Sequence, residues 1–583
     1  RQVMGDPLDP EVEALLRKYA LQNALEYEGV GQVGSVMGRV MAENPDLREI
    51  AKTLSGHIAT AVNEANSLAT NQGLEHIRSL LENESPDALE KRTKERREGL
   101  PPLPNAVDGD VVLRFAPNPN GPLSFGHARG VVINSELARM HDGIVILRYD
   151  DTDAKVKRPD PAAYDLIEQD FTWLTGKEPD RIIRASDRMG TYLDYAVRAI
   201  SEEFSYVCEC SAESFKENRV TKTNCPCRDR SKEDNLALWE KMNDGTLHPG
   251  DAVVRIKTGM DLKNPALRDW PALRIQHEDH PMVGTQYKVW PLLDFQSAIE
   301  DYEQGVTHIV RGKDLMDSTR KQLLLYNHFG WDYPETLYWG RVKIHEFGGF
   351  STSQMKADIA DGIFTGWDDP RLPTLRAFRR RGYNAGAMRN FWIDLGLTQK
   401  DISVPMSTLN SLNSKAVDAD APRLSFVREP CTIHLNLSEI EMEKVTLPIH
   451  PEHPDKGVRE WPLGYESINV NIARDDFNPH GAKRLKDFAD IRINSVKTVK
   501  GWEGEIIRTE RVGNTPIIHW LPSNMAQPAV LLLEEEGELI VAEGLLEVND
   551  YPDGTVIQLE RMGFAILEGV EDNGARRLIH LHG

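Results

Sequence analysis

Positive charge is in short supply in this sequence. Lysine and arginine total 69 against 91 aspartates and glutamates, which gives a formal net charge of −22. Because contacts with phosphate need Lys and Arg, this balance alone argues against a nucleic-acid partner. A basic surface can be local, however, so the composition leaves RNA open.

Long apolar runs and a secretory signal are lacking too. No stretch approaches the length that a membrane-spanning helix needs, and no leader pattern opens the chain. We therefore expect a cytoplasmic protein with no membrane partner. With 583 residues, 40% of them hydrophobic and 27% charged, the chain has room for several ordinary globular domains.

Cysteine is rare, but four of the five cysteines form two close pairs. Cys208 and Cys210 are one residue apart, as are Cys225 and Cys227, and residues 211–224 separate the pairs. Two such pairs suit four thiolates around one tetrahedral Zn²⁺, which would be structural because no open position remains for catalysis. Four unrelated reduced thiols in a cytosolic protein are the alternative.

The most informative segment is a predicted strand, turn and helix between Val111 and Ala138. Val111–Phe115 is an apolar run suited to a buried strand, two prolines and a glycine turn the chain, and a helical pattern begins near Phe125. A helix that starts after a strand presents free N–H groups and a positive dipole end, which attract phosphate. Gly126 allows close approach of the backbone, and His127 lies where an imidazole can meet a nucleotide's phosphates.

Strand-like and helical runs alternate from about 106 to 205, which is typical of a parallel sheet with crossover helices. The pattern resumes as strands at Leu292–Phe295 and Thr307–Arg311. The first 85 residues read as helical, with apolar residues at helical spacing in Pro10–Tyr27 and Asp46–Ala69. The charge run at 90–98 indicates a solvated tether or a segment that touches RNA. Beyond about 425, short alternating strands indicate small β-barrels.

The segment Arg114–Gly130 resembles the ATP signature of class I aminoacyl-tRNA synthetases in their glutamyl/glutaminyl form, with Ser124 where the family usually has His. Three further segments follow in the family's order. They are Arg148–Asp153, Gly305–Asp314 and a loop at Phe350–Lys356 that matches the family's lysine loop, with Thr352 in place of its second lysine.

The resemblance implies site residues and cofactors. The catalytic residues it implies are Ser124, Gly126, His127, Ser351 and Ser353. The ATP contacts it implies are Pro117, Asn118, Gly126, His127 and Lys356, and the substrate contacts are Arg114, Ala116, Asn118, Asp150 and Arg311. Asp150 would face the substrate's ammonium group. Arg311 is typical of glutamate-specific members, since a guanidinium can pair with both oxygens of a γ-carboxylate. ATP and Mg²⁺ are the implied cofactors, beside the structural Zn²⁺.

The implied fold is α/β and multidomain, namely a Rossmann-like nucleotide-binding fold with a zinc-bearing insertion, helical N-terminal and stem regions, and C-terminal β-barrels. The expected domains are a helical N-terminal domain with its linker (1–105), the two catalytic halves (106–205 and 286–350), an insertion for the tRNA acceptor end (206–285), the lysine-loop region with a helical stem-contact domain (351–425), and anticodon-binding barrels (426–583).

The implied activity is ATP-dependent ligation of L-glutamate to tRNA(Glu) through a glutamyl-adenylate, in the archaeal type of the enzyme. A glutaminyl-tRNA synthetase is one alternative, against which Arg311 speaks. A non-catalytic tRNA-binding scaffold is another, kept open by Ser124 and Thr352. The sequence leaves open whether tRNA(Gln) is also charged and whether the N-terminal helices bind a protein partner.

Overall fold

The computed structural model describes residues 8–85, 99–348, 350–479 and 481–583. The charge run at 90–98 therefore lies outside the described residues. The chain consists of two compact units, and the boundary between them falls between Arg97 and Glu98. Within the described ranges, no helix combines the length and the apolar character needed to cross a lipid bilayer.

The first unit contains four helices around an apolar core. They are α1 (Pro10–Glu26), α2 (Val33–Glu43), α3 (Ala51–Gln72) and α4 (Leu74–Glu84). The Asp9 side chain caps α1 by accepting from the Glu11 N–H, with Pro10 in the first turn. Leu16, Ile58 and Ile77 are fully buried in the core. The helical prediction for this region is confirmed.

The second unit begins with three parallel strands and their crossover helices. The elements are β1 (Val112–Phe115), α5 (Phe125–Met140), β2 (Ile144–Tyr149), α6 (Pro161–Thr175), β3 (Arg181–Arg184) and α7 (Met189–Ser201). Leu113 pairs with Val145, and Leu147 pairs with Ile182, so β2 lies between β1 and β3. Apolar side chains on both faces of β2 are buried by the flanking helices, as a parallel sheet requires.

An antiparallel insertion follows. It contains β4 (Ser205–Cys208), α8 (Ala212–Thr221), α9 (Lys232–Asp244), β5 (Val253–Ile256), β6 (Pro271–Ile275) and β7 (Val289–Pro291). The four strands pair in chain order. All four cysteines of the two close pairs lie at the β4 end of this sheet and in the loop after α8.

The chain then returns to the parallel sheet. The elements are α10 (Leu293–Glu303), β8 (His308–Gly312), α11 (Met316–Phe329) and β9 (Glu335–Trp339). The parallel pair β8 and β9 adjoins β1, because the Thr307 N–H donates to the Val112 carbonyl at 3.0 Å. The strand prediction for Leu292–Phe295 is wrong, since this segment starts α10. Phe295 and Ile299 are both buried and lie four residues apart on one face of the helix. The predicted segment, only four residues long, is too short to show this helical spacing.

A mostly helical region follows the sheet. It contains β10 (Val342–Ile344), α12 (Thr352–Ala360), α13 (Leu375–Arg381), α14 (Ala385–Leu395), β11 (Ile402–Val404) and α15 (Met406–Val417). The segment before α13 runs antiparallel to the start of α5, where the Phe125 N–H donates to the Pro373 carbonyl and the Leu375 N–H to the Leu123 carbonyl. At the other end of α13, Arg380 forms an ion pair with Glu568 at 2.5 Å.

Two barrel-like sheets complete the chain, as the alternating pattern predicts. Their strands are β12 (Arg423–Leu424), β13 (Phe426–Arg428), β14 (Pro430–Asn436), β15 (Lys444–Pro448), β16 (Val458–Pro462), β17 (Ser467–Ala473), β18 (Ala482–Leu485), β19 (Asp490–Thr498), β20 (Gly501–Arg508), β21 (Ile517–Ile518), β22 (Trp520–Pro522), β23 (Ala526–Glu535), β24 (Glu538–Glu547), β25 (Val556–Leu559), β26 (Gly563–Val570) and β27 (Arg576–His582). One seven-stranded sheet has the order β21-β18-β19-β20-β14-β17-β22 and the other β12-β25-β26-β27-β23-β24-β13.

Candidate active site

The start of α5 is closed by a reciprocal cap. The Ser124 hydroxyl accepts from the His127 N–H at 3.3 Å, and His127 Nδ1 accepts from the Ser124 N–H at 3.1 Å. Because a backbone N–H can only donate, Nδ1 is the acceptor and the imidazole proton is on Nε2. Gly126 and His127 are exposed. Helix α5 thus presents the positive end of its dipole, the Gly126 N–H and a ring donor to solvent, while the Phe125 N–H donates to the Pro373 carbonyl and the Ser124 hydroxyl serves the cap.

The loop between β1 and α5 is tied to its surroundings at Pro117 and Asn118. The Pro117 carbonyl accepts from the Asp150 N–H at 3.0 Å. The Asn118 amide nitrogen donates to the carbonyls of Asp150 and Lys157 at 3.1 and 3.3 Å. These bonds join the loop after β1 to the loop after β2. Asn118 therefore holds the two loops together, and its contacts with ATP and substrate stay predictions.

The first residue of α12, Thr352, packs directly on the turn before α5. A Cβ on Gly121 would lie 2.7 Å from Thr352 Cγ2, so only glycine permits this approach. Ser351 caps α12 by accepting from the Gln354 N–H at 3.2 Å, and the hydroxyls of Ser351 and Ser353 are 3.4 Å apart. Two of the predicted catalytic residues, Ser351 and Ser353, thus lie beside the turn at 119–123 and the start of α5. We call this predicted nucleotide site the nucleotide corner. The Ser351 hydroxyl is engaged in the cap of α12.

Lys356 projects from α12 toward the start of α6. Its Nζ lies 2.7 Å from Asp160 Oδ2, and both side chains are partly exposed. The Asp160 N–H donates to the Pro119 carbonyl, so the pair rests against the turn before α5. The lysine is near the corner but is neutralised by a carboxylate, and its contact with ATP phosphates stays a prediction.

Two adjoining cavities flank α5. The smaller has a volume of about 120 Å³ and includes Gly126, Arg129 and Gly340 in its lining, and the larger has a volume of about 240 Å³. They share two wall residues, Gly312 and Trp339. The larger cavity is lined by four of the predicted substrate contacts, Arg114, Ala116, Asp150 and Arg311. The fold thus brings these four residues to one place, next to the start of α5 at which the sequence predicts a nucleotide site.

A buried ionic network forms the floor of the larger cavity. Asp301 is fully buried and accepts from Arg114 Nε at 3.0 Å and from Arg148 Nη1 at 2.7 Å. Arg148 also pairs with Asp150 at 2.7 Å and donates to the Ser297 hydroxyl at 2.8 Å. Burial alone would raise the pKa of the Asp301 carboxyl, but the two guanidinium groups hold it at about 2.

Sequence reasoning missed Asp301 as a member of this site. It lies in α10, outside every motif quoted, and only the fold brings it to Arg114 and Arg148. Arg148 belongs to a quoted motif but carried no assigned role. Asp150, which is predicted to face a substrate ammonium group, also pairs with Arg148. Its contact with substrate stays a prediction.

Arg311 differs from the other two arginines because it has no carboxylate partner among the described residues. Both of its Nη atoms donate to the same oxygen, Gln322 Oε1, at 3.2 Å, and its buried Nε has no partner within the described chain. Burial and the neighbouring Arg114 lower the pKa of Arg311. The carboxylate of Asp294, also in the lining, is paired with Lys321.

The charges in the cavity therefore do not balance. Three guanidinium groups, those of Arg114, Arg148 and Arg311, face the two carboxylates of Asp150 and Asp301. A buried charge without a partner is costly. A ligand that carries one negative charge into the cavity would compensate the excess.

The four paired cysteines converge in the insertion. Their sulfur atoms lie within 4.8 Å of one another, with Sγ–Sγ distances of 3.6 Å for Cys208 and Cys225, 3.3 Å for Cys210 and Cys225, and 3.8 Å for Cys210 and Cys227. Sulfurs at tetrahedral positions around Zn²⁺, with Zn–S bonds of 2.3 Å, are about 3.8 Å apart. The donor set and its spacing fit a structural metal ion.

The thiols of this cluster differ in acidity. Hydrogen bonding with Cys225, helped by Arg255, lowers the pKa of the Cys208 thiol to about 5. Hydrogen bonding with Cys208 raises the pKa of Cys225, and burial raises that of Cys210 to about 11. Among these three thiols, the protein alone thus favours the thiolate of Cys208. A bound dication would supply the charge that the other thiolates need.

Comparison with known proteins agrees with the geometry. The family model for the catalytic domain of tRNA synthetases class I (E and Q) matches residues 110–419, and the model for the anticodon-binding domain of the same family matches residues 421–510. The glutamate–tRNA ligase of Methanosarcina acetivorans is 43% identical over 570 residues, covering 97% of this chain and 98% of the relative.

Two further archaeal relatives give similar values. The glutamate–tRNA ligase of Archaeoglobus fulgidus is 44% identical over 566 residues, covering 96% of this chain and 98% of the relative. That of Methanothrix thermoacetophila is 41% identical over 576 residues, covering 98% and 99%. Since the domain models and the relatives together span nearly the whole chain, it belongs to the class I (E and Q) tRNA synthetases, in the group of the archaeal glutamate–tRNA ligases.

Proposed function

We propose that this chain ligates L-glutamate to the 3′ end of tRNA(Glu). In the first step a glutamate α-carboxylate oxygen attacks the α-phosphorus of ATP, a P–O bond forms, and pyrophosphate leaves. In the second step a terminal ribose hydroxyl of the tRNA attacks the acyl carbon of the adenylate, loses its proton, and AMP leaves. Both steps depend on positioning and charge neutralisation more than on a protein nucleophile.

The observation that carries the proposal is the uncompensated guanidinium of Arg311 beside the nucleotide corner. Zwitterionic glutamate has a net charge of −1, which matches the excess in the cavity. Its γ-carboxylate would pair with Arg311, and its ammonium group would meet the Asp150 carboxylate. Glutamine would leave the guanidinium unpaired, which disfavours the glutaminyl alternative.

The nucleotide would enter as its Mg²⁺ complex at the start of α5. The Gly126 N–H and the Nε2–H of His127 lie at this exposed helix start and would contact phosphate oxygens. Gly126 also lines the smaller cavity, which supports binding of the adenosine part there. Lys356 would leave Asp160 when a triphosphate arrives, because a highly charged anion is the stronger partner.

The remaining assignments concern tRNA and location. The insertion would hold the acceptor end, and the C-terminal sheets would hold the anticodon, as the match to an anticodon-binding domain supports. The free thiols suit the reducing cytoplasm, where we place the reaction. Charging of tRNA(Gln) and a protein partner for the N-terminal helices stay open predictions.

The activity is tested by ATP–pyrophosphate exchange with tRNA(Glu) present, using glutamate and glutamine in parallel. We expect exchange that depends on glutamate and a glutamine signal lower by about 100-fold or more. A stronger signal with glutamine would establish the glutaminyl alternative. No exchange with either amino acid, despite tRNA binding, would establish a non-catalytic scaffold.

We also propose that Cys208, Cys210, Cys225 and Cys227 hold one structural Zn²⁺. Elemental analysis of the purified chain should give about one zinc per chain. Replacing Cys225 by Ser should abolish the bound zinc and lower the thermal midpoint, because a ligand is lost from a buried cluster. Replacing Cys431, which lies apart in β14, should leave the zinc content unchanged. Full retention of zinc in Cys225→Ser would contradict the assignment.

A further inference from the structure

Gln322 of α11 is a buried residue in the wall of the larger cavity, and both ends of its side-chain amide are hydrogen-bonded. Its Oε1 accepts from both Nη atoms of Arg311 at 3.2 Å and from the Tyr333 hydroxyl at 2.7 Å. Its Nε2 donates to the Asp294 carbonyl at 3.2 Å. The amide is 1% exposed and cannot rotate without breaking these bonds. Gln322 therefore fixes the direction of the Arg311 guanidinium.

The chemical type of this partner matters as much as its position. A carboxylate is the usual partner of a buried arginine, and it would neutralise the guanidinium. An amide oxygen orients the same group but carries no charge. The five N–H donors of Arg311 thus have one protein acceptor in the described chain, and the positive charge stays available to a ligand.

We infer that Gln322 is a positioning residue that sets the preference of the cavity for an acidic over a neutral side chain. The inference rests on the proposed function, since it assigns the residue that keeps Arg311 both aligned and uncompensated. Tyr333 is the second support, because its hydroxyl donates to the amide oxygen while the amide nitrogen donates to the Asp294 carbonyl.

The test is Gln322→Glu in ATP–pyrophosphate exchange with tRNA(Glu) present. The new carboxylate would pair with Arg311 and repel the substrate's γ-carboxylate. We expect KM for glutamate to rise by about 10- to 100-fold, with kcat changed much less, because the lost interaction is with the bound substrate in both ground and transition states. The ratio of kcat/KM for glutamate over glutamine should fall by a similar factor. Gln72→Glu, at an exposed end of α3, is the matched control and should leave these constants unchanged.

Two further variants separate charge from support. Gln322→Met removes the amide but adds no charge, so it should raise KM for glutamate while Arg311 stays uncompensated and the preference for glutamate persists. Tyr333→Phe should raise KM by a smaller factor, about 2- to 5-fold, because one restraint on the amide is lost. Thermal midpoints of all variants show whether each chain is folded.

The outcomes distinguish this inference from the proposed function. A wild-type chain inactive with both amino acids would overturn the proposed function, and the inference with it. A wild-type chain active with glutamate, whose folded Gln322→Glu variant keeps the same KM and the same preference, would overturn the inference alone. Equal effects of Gln322→Glu and Gln322→Met on the preference would also overturn it, since the role would then be mere support.

Discussion

Replacing Arg311 by alanine is expected to lower kcat/KM for glutamate by about 100- to 10,000-fold in ATP–pyrophosphate exchange. The reason is that the γ-carboxylate would enter a buried cavity without its partner, and loss of one member of a buried ion pair costs about 3–5 kcal/mol. Arg311 is 6% exposed, so water cannot readily replace it. Binding of ATP should be retained, since the guanidinium faces the larger cavity and not the start of α5.

Arg139→Ala is the matched control for this experiment. Arg139 lies on α5 but is mostly exposed, and its ion-pair partner among the described residues is its helical neighbour Glu136, so its loss should change kcat/KM by less than about twofold. If Arg311→Ala kept most of its activity with glutamate, another group would be reading the γ-carboxylate. If it lost ATP binding as well, the defect would lie in the fold of the site.

Asp301→Asn is expected to destabilise the catalytic region by about 3–5 kcal/mol, because two buried guanidinium groups would lose the carboxylate between them. The urea midpoint of the transition that reports this region should fall accordingly. Asp475→Asn, at an exposed position between β17 and β18, should leave the midpoint within error. An unchanged midpoint in Asp301→Asn would show that the charge of Asp301 does not stabilise the two arginines that donate to it.

The same carboxylate predicts a dependence of stability on pH. Its folded pKa of about 2 is below the value of about 3.9 for an unfolded aspartate, so its contribution is fully present above pH 4. That contribution is lost as the pH falls from about 4 to about 2. The midpoint difference between the wild type and Asp301→Asn should therefore shrink across this window. A difference that stayed constant down to pH 2 would contradict the low pKa.

Much of the fold could be predicted from local sequence patterns. Where the prediction failed, the cause lies in a few neighbouring residues. The strand Ile144–Tyr149 and the helix start at Phe125 are found where the sequence predicts them, because a fully buried strand and a strand-to-helix turn are marked by short runs of residues. Strand β24 was not predicted. Gly544 interrupts its pattern, yet a Cβ there would lie 2.5 Å from the Val427 carbonyl, so the glycine marks close strand contact and not a turn.

The candidate site was predictable as a set of residue types but not as a network. Arg114 and Arg311 stand in recognisable segments, whereas their partners Asp301 and Gln322 lie on helices in which an acidic residue or an amide carries no signal. Only the fold pairs residues 187 positions apart, as it does for Arg114 and Asp301. For Ser351, by contrast, the local sequence already indicates a hydrogen-bond partner. Its spacing to Gln354 already fits a capping box, which the structure partly realises through the Ser351 hydroxyl.

Helix α13 contacts two parts of the second unit that are far apart in the sequence, the turn before α5 and the C-terminal sheet. At its first residue the Leu375 N–H donates to the Leu123 carbonyl, and five residues later Arg380 forms an ion pair with Glu568. Since the same helix is bonded to the turn before α5 at one end and to the C-terminal sheet at the other, a shift of the sheet that carries Glu568 would act on the helix that supports this turn.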